Sequence, residues 1–244
     1  MNPFEKFGLE HLSYSQASLY KTQPAAWVFR YLFKIKDDGG PALWRGRAVE
    51  KGLDTYLFTQ SEPQAMQAAS IEYGNLSGGL ADEKSEQERA NVGKCLMQAI
   101  KALPGPLPIS RQKKIEIRLD GIEVPIIGFV DYEWPDYGVD LKTTLRLPSR
   151  PNPIHVEQVS LYAAALGKPF SLMYVTPMKS AVYPISDDAA AVALKRVHQT
   201  FKAIRSMLEK VDGPHQAASM FAPDYEHYSW SPELMKKAEE VYGQ

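Results

Sequence analysis

The sequence predicts an α/β fold: a central mixed β-sheet flanked by helices, with helical segments at the N-terminus and inserted ahead of the sheet. Three observations carry this. Residues near 113–143 alternate with the period of strands, helical periodicity lies on both sides of them, and the apolar content is high enough for a large core. Of 244 residues, 44% are hydrophobic and 23% charged, which excludes a disordered or low-complexity chain and fits one domain over 1–244.

The opening reads as two short helices. Ser13 to Gln16 has the spacing of a capping box. Pro24 starts the second helix, with Trp27, Val28, Tyr31 and Leu32 at helical spacing, and Gly39-Gly40-Pro41 breaks the chain. A third helix spans 42–58, with Val49, Leu53, Tyr56 and Leu57 as its apolar stripe and Glu50 at the stripe's edge. Its glycines 46 and 52 each cost about 1 kcal/mol against alanine, so something is expected to pack close to its backbone. Residues 61–80 read as a loop or irregular excursion. Residues 82–103 read as a helix covering the sheet, ending at Pro104-Gly105-Pro106.

Lys114 to Leu119 alternates, and Asp120-Gly121 signals a hairpin whose return strand runs from Ile122 to Tyr132, with Pro125 at an edge or bulge. Trp134-Pro135-Asp136-Tyr137 suits a type I turn into the strand Val139–Thr143. Asn152-Pro153 caps and starts a helix that Gly167 closes. Two strands (170–176 and 181–185) follow. A long amphipathic helix then spans 187–211, with Val192, Val197, Phe201, Ile204, Leu208 and Val211 as its buried stripe, and a short helix starts at Pro232.

Composition narrows function. Lys and Arg number 28 against 29 Asp and Glu, so any nucleic-acid binding must use local clusters of positive charge. Cys95 is the only cysteine, so an internal disulfide, a four-cysteine zinc site and a four-cysteine iron–sulfur cluster are excluded. There is no apolar run of membrane-spanning length and no visible secretory signal, so a cytoplasmic location is expected.

The chemistry concentrates in GFVDYEWPDYGVDLKTT, residues 128–144. Centring the turn between Pro135 and Asp136 sets 133 against 138, 132 against 139 and Asp131 against Asp140. Facing carboxylates repel, so such a pair suggests a cation between them. Asp140 and Lys142 share a face while Leu141 points into the core. Oxygen donors of this kind suit Mg²⁺ or Mn²⁺, and the lysine can orient the attacking water, help deprotonate it, or offset charge in the transition state. Gln158 and Tyr162, one helical turn apart, share a helix face with His155.

Together these parts resemble the PD-(D/E)XK nuclease superfamily, in its RecB-like and lambda-type exonuclease branch, over about residues 12–232. Gly46-Arg47-Ala48-Val49-Glu50 is similar to its first acidic motif, Gly128-Phe129-Val130-Asp131 to its G-x-x-D motif, Asp140-Leu141-Lys142 to its (D/E)-x-K strand and Gln158 to Tyr162 to its Q-x-x-x-Y helix. Leu12-Ser13-Tyr14-Ser15 resembles the S-x-S start of the RecB-like members.

The resemblance implies a restriction-endonuclease-like core. N-terminal helices carrying the first acidic motif would span 12–60, a helical insert 61–110, the catalytic sheet and motif helix 111–186, and C-terminal helices 187–244. It implies Glu50, Asp131, Asp140 and the Leu141 carbonyl as ligands of Mg²⁺ or Mn²⁺, and Lys142 as the catalytic lysine. Gln158 and Tyr162 would contact DNA or brace Lys142. DNA contacts are expected from Ser15, Arg45, Arg47, Lys51, Thr143, Arg146 and Arg150. Exposed aromatics such as Tyr14, Tyr20 or Trp44 are candidates for stacking on unpaired bases, with core packing the commoner fate.

The implied activity is a DNA exonuclease of recombination, repair or phage DNA processing, acting at ends, with a single-strand-binding or annealing protein as possible partner and no membrane. A structure-specific or nicking endonuclease and a non-catalytic nucleic-acid-binding module are the alternatives. Two departures stand out. Glu50 takes the place of the histidine usual in RecB-like members. The regions that hold cluster cysteines in many of them are here Gln23-Pro24 and Trp230-Ser231-Pro232, where packing of Trp230 is expected to substitute.

Overall fold

A computed structural model describes residues 2–36, 39–105 and 107–243. The elements in chain order are α1 (Pro3–Lys6), α2 (Tyr14–Thr22), α3 (Pro24–Tyr31), α4 (Pro41–Thr59), α5 (Glu62–Ser77), α6 (Glu83–Ala102), β1 (Ser110–Ile117), β2 (Ile126–Glu133), β3 (Gly138–Thr143), α7 (Pro153–Leu166), β4 (Phe170–Val175), β5 (Ser180–Pro184), α8 (Asp187–Lys210), α9 (Pro214–Ala218) and α10 (Pro232–Tyr242). The strands form one mixed sheet in the order β1-β2-β3-β4-β5. β3 and β4 are parallel, connected through α7, and the other neighbours are antiparallel.

Each face of the sheet is covered by its own core. On one face α2, α3, α7 and α8 close over Ile115, Ile126, Val130, Leu172 and Tyr174. On the other, α4 and α6 cover Tyr132, Val139, Leu141, Met173 and Val175, with α5 packed outside α4. Val130 and Tyr132 have the same parity, yet each is fully buried in a different core. β2 therefore changes sides at Asp131. Opposite this point Gln112 takes a left-handed backbone, φ 47°.

Several caps stand as the sequence indicates. Ser13 Oγ accepts from the Gln16 N–H, although Gln16 returns its own amide to the His11 carbonyl rather than closing the box. Asn152 Oδ1 accepts from the Ile154 N–H, and Gly167 ends α7 at φ 63°. The close approach to the third helix falls at Gly52. A Cβ there would meet Leu96 at 2.7 Å and Ala69 at 2.9 Å.

Three elements differ from expectation. Residues 61–80 are mostly helical, not irregular. Ser61 caps α5, Gly78 ends it in the left-handed region, and Ala65, Ala69 and Tyr73 at four-residue spacing bury against α4. Asp120-Gly121 does make a turn, with the Ile122 N–H bonded to the Leu119 carbonyl. The β1–β2 ladder nevertheless closes only at Ile117 and Ile126, so the connection is a wide loop. Ile126 opens the strand because Leu12 bonds on either side of it, to the Pro125 carbonyl and the Ile127 N–H. On α8, Val192 is half exposed. The buried row runs through Ala193, Val197, Phe201, Ile204 and Leu208, one position off Val192. Pro106, part of the expected breaker at 104–106, lies outside the described residues.

Where the cysteine-bearing regions of the resemblance would lie, Trp230 is buried and donates through Nε1 to Gln23 Oε1 at 3.4 Å. Gln23 donates in turn to Asp224, and Phe29 and Tyr225 pack on the Trp230 ring. Among the described residues no helix is long and apolar enough to cross a membrane.

The end of β2 is pinned by a buried carboxylate. Glu133 accepts from Lys113 at 2.8 Å, Lys168 at 2.7 Å and Ser110 at 2.7 Å. The lysine bonds outweigh its burial and pull its pKa down to about 2. A depressed carboxyl stabilises the fold above its ordinary pKa, and that contribution drains away from there down to the folded value. Glu133→Gln should therefore cost about 1–3 kcal/mol near neutral pH. In urea unfolding, its deficit against the parent should close as pH falls from about 4.5 toward about 2.

Candidate active site

The turn Trp134–Tyr137 sets the geometry. The Trp134 N–H bonds the Tyr137 carbonyl at 2.8 Å, and the two rings stack at 5.1 Å. This fixes Glu133 against Gly138 and Tyr132 against Val139, so the register aims Asp131 at Asp140. A continued ladder would then pair Leu141 with Val130. Instead the Leu141 N–H is taken by Asp131 Oδ2 at 2.8 Å, and Gln112 donates to Asp131 Oδ1 at 3.2 Å. The side chain of Leu141 enters the α4 core, which leaves Asp140 and Lys142 on the α7 side.

Asp140 is 1% exposed, and its Oδ2 lies 2.6 Å from Lys142 Nζ. That ion pair engages Oδ2, and Oδ1 has no hydrogen-bond partner. Burial and then the neighbouring carboxylates Asp140 and Glu50 push the Asp131 carboxyl well above its usual range. Burial likewise raises Asp140, against the pull of Lys142.

From α4, Glu50 comes within electrostatic reach of Lys142 and Asp140. Burial, opposed by Lys142 and reinforced by Asp140, lifts its pKa to about 7. For Lys142, burial favours loss of the proton, but Asp140 and Asp131 outweigh it and hold the ammonium above its ordinary value. In this arrangement Lys142 is a fixed cation. As such it can orient an anion and offset charge.

α7 interlocks with this cluster. A Cβ on Gly128 would stand 2.7 Å from the Tyr162 ring, so that position must be glycine for the ring to pass. Tyr162 is buried, accepts from Gln158 Nε2 at 2.7 Å, and feels Asp140, Asp131 and Lys142 electrostatically. His155, one turn before Gln158, also lies in the field of Lys142. The sequence places it on the face of Gln158 and Tyr162 without giving it a role. Its spacing from Gln158 was the available signal.

The basic residues divide. Arg45 is a correction. It is 3% exposed and closed in an ion pair with Glu88 of α6, and its Nη2 donates to the Thr143 carbonyl at 3.2 Å, so it is a strut and not a DNA contact. Arg47 and Lys51 are exposed on α4, beside Glu50 and Asp54 respectively. Arg146 and Arg150 are exposed after β3, and Thr143 is half-buried with its hydroxyl near Gly46. Ser15 is exposed on α2, and no interaction ties it to the acidic cluster. Arg111 and Lys113 serve structure, bonded to the Asp54 carbonyl and Glu133. Tyr14 and Trp44 are buried and Tyr20 packs on Trp27, which removes all three as base-stacking platforms.

The donors gathered here are hard oxygens, with Asp140 Oδ1 buried and unpartnered, and that set suits a small divalent cation. As the side chains lie, with Lys142 against Asp140 and Gln112 on Asp131, no group of three or more acidic, histidine or cysteine side chains among the described residues is assembled to hold a metal ion.

A mixed sheet flanked by helices, with acids and a lysine gathered at one place, is what the resemblance to a nuclease superfamily leads one to expect. The family comparison makes it specific: the model of the PD-(D/E)XK nuclease superfamily matches residues 11–240, and the chain belongs to that superfamily. Among solved structures, the chain is similar to a "Putative exonuclease" from Eubacterium rectale. The two share 15% identity at a TM-score of 0.55, over 88% of this chain and 84% of that one. A second, SSO0001, aligns at 19% identity and a TM-score of 0.35, over 65% of this chain and 85% of that one. No curated protein matches the sequence.

Removing one member of a buried ion pair leaves an uncompensated charge, at a cost of about 3–5 kcal/mol. Glu88→Ala should lose stability on that scale in urea unfolding. Replacing both partners together, Arg45→Met with Glu88→Leu, should recover most of the loss.

Proposed function

We propose that this nuclease is a Mg²⁺- or Mn²⁺-dependent DNA exonuclease, hydrolysing phosphodiester bonds from ends in recombination, repair or phage DNA processing. The observation that carries the reading is the buried Asp140, with one oxygen against Lys142 and the other unpartnered, in the field of Asp131 and Glu50. Burying several carboxyl groups beside one ammonium is costly unless further positive charge shares them.

Glu50, Asp131, Asp140 and the Leu141 carbonyl would hold the cation. Once bound, it supplies a water activated for attack and stabilises the leaving oxygen. Lys142, fixed as an ammonium by Asp140 and Asp131, holds the phosphate and offsets charge developing on its oxygens. Tyr162 fixes Gln158 at the edge of the same site. Arg47, Lys51, Arg146 and Arg150, all exposed, give the strand's phosphates local positive charge on a chain of net charge −1. A site of this kind operates among nucleic acids, so we place the protein in the cytoplasm.

Asp140→Asn and Lys142→Ala should each lower cleavage by on the order of 10²–10³-fold while DNA binding persists. End-labelled linear and closed circular DNA, digested with Mg²⁺, with Mn²⁺ and with chelator, checks this. Loss of the linear substrate alone, only with metal, is the expected result. Cutting of the circle means an endonuclease. Binding with no metal-stimulated cleavage means a non-catalytic module.

A further inference from the structure

His155 stands in the first turn of α7 with its two ring nitrogens in different circumstances. Nδ1 lies 2.7 Å from Tyr174 Oη, and the rings are 5.5 Å apart. Tyr174 is 1% exposed, and its hydroxyl already accepts the Asn152 N–H at 3.0 Å. Were His155 also to donate to that oxygen, the phenolic proton would need a third partner, and among the described residues there is none. The tyrosine therefore donates to Nδ1, and the ring's own hydrogen resides on Nε2. Burial, aided by Lys142, pushes the imidazole pKa down to about 3, so the ring is neutral. Nε2 has no protein partner among the described residues.

The surroundings indicate what this donor serves. Tyr174 is the β4 neighbour of Lys142 in the parallel register. His155 lies one turn from Gln158, at the positive end of α7 and after the exposed Arg146 and Arg150. A neutral, fixed N–H in such a place can bond an anionic oxygen without adding charge against the ammonium.

We propose that His155 is a substrate-contacting residue, its Nε2–H donating to a non-bridging oxygen of the nucleic-acid phosphate at the Lys142 site, with Tyr174 as the positioning residue that fixes the tautomer. This rests on the deoxyribonuclease reading above.

The test compares His155→Ala, His155→Asn, His155→Gln and Tyr174→Phe on an end-labelled oligonucleotide with Mg²⁺, alongside thermal midpoints and DNA affinity by anisotropy in Ca²⁺. His155→Ala should slow turnover on the order of 10–100-fold. His155→Gln, whose amide nitrogen reaches the Nε2 position, should regain most of the rate. His155→Asn, which replaces only Nδ1, should not, and Tyr174→Phe should fall between. Full activity in His155→Ala overturns the inference. So does equal loss in the Asn and Gln variants with parallel falls in thermal midpoint, which is packing alone. If the parent itself cleaves nothing, the deoxyribonuclease reading fails. Unchanged DNA affinity in His155→Ala would then overturn the phosphate contact as well.

Discussion

The burial of several carboxyl groups close together is the constraint around which this site is arranged. Burial raises the carboxyl pKa of Asp131, Asp140 and Glu50; Asp140 raises Asp131 and Glu50 further, and Glu50 adds to the shift of Asp131. Each has compensating partners, and Lys142 serves two of the three. Asp131 draws a backbone N–H out of the sheet ladder and an amide from Gln112. Asp140 has Lys142, and Glu50 feels Lys142 and Arg47. An isolated hairpin would splay under this load. Here two cores clamp it, one on each face.

The strand that changes cores makes the clamp possible. Val130 belongs to the α7 side and Tyr132 to the α4 side, so Asp131 falls at the passage between them. Strict alternation would bury an acid on one face or expose it on the other. The crossing instead sets it at the seam, where α4 brings Glu50 from one direction and α7 brings Gln158 and Tyr162 from the other. Gly128 and the Tyr162 ring fit together across that seam. The spacing of glycine and aspartate along β2 thus has a packing reason as well as a chemical one.

Much of this was legible because it is local. A four-residue turn with proline second fixes a register, and register alone aims Asp131 at Asp140 and sends Leu141 the other way. The third helix's glycine announced a close neighbour for the same reason. What escaped was decided at a distance. Nothing near Arg45 shows that Glu88, on a helix of ordinary pattern, will close over it. α5 shows only small residues and one tyrosine on its inner face, too weak a stripe to distinguish from an irregular segment, and it becomes a helix because α4 offers Gly52 as a groove. Val192 misled by one position, since a valine beside a buried alanine looks the more apolar of the two.

The hydrogen bond between Gln23 and Trp230 joins residues 207 apart in sequence. During synthesis α2 and α3 leave the ribosome long before the indole and the Asp224 carboxylate that secure Gln23. Until then that corner of the first core stays unsealed, and its apolar rings, Trp27 and Phe29 among them, have only transient cover. A closure between residues so far apart in sequence costs loop entropy, and until it forms the apolar rings of α3 need cover of another kind.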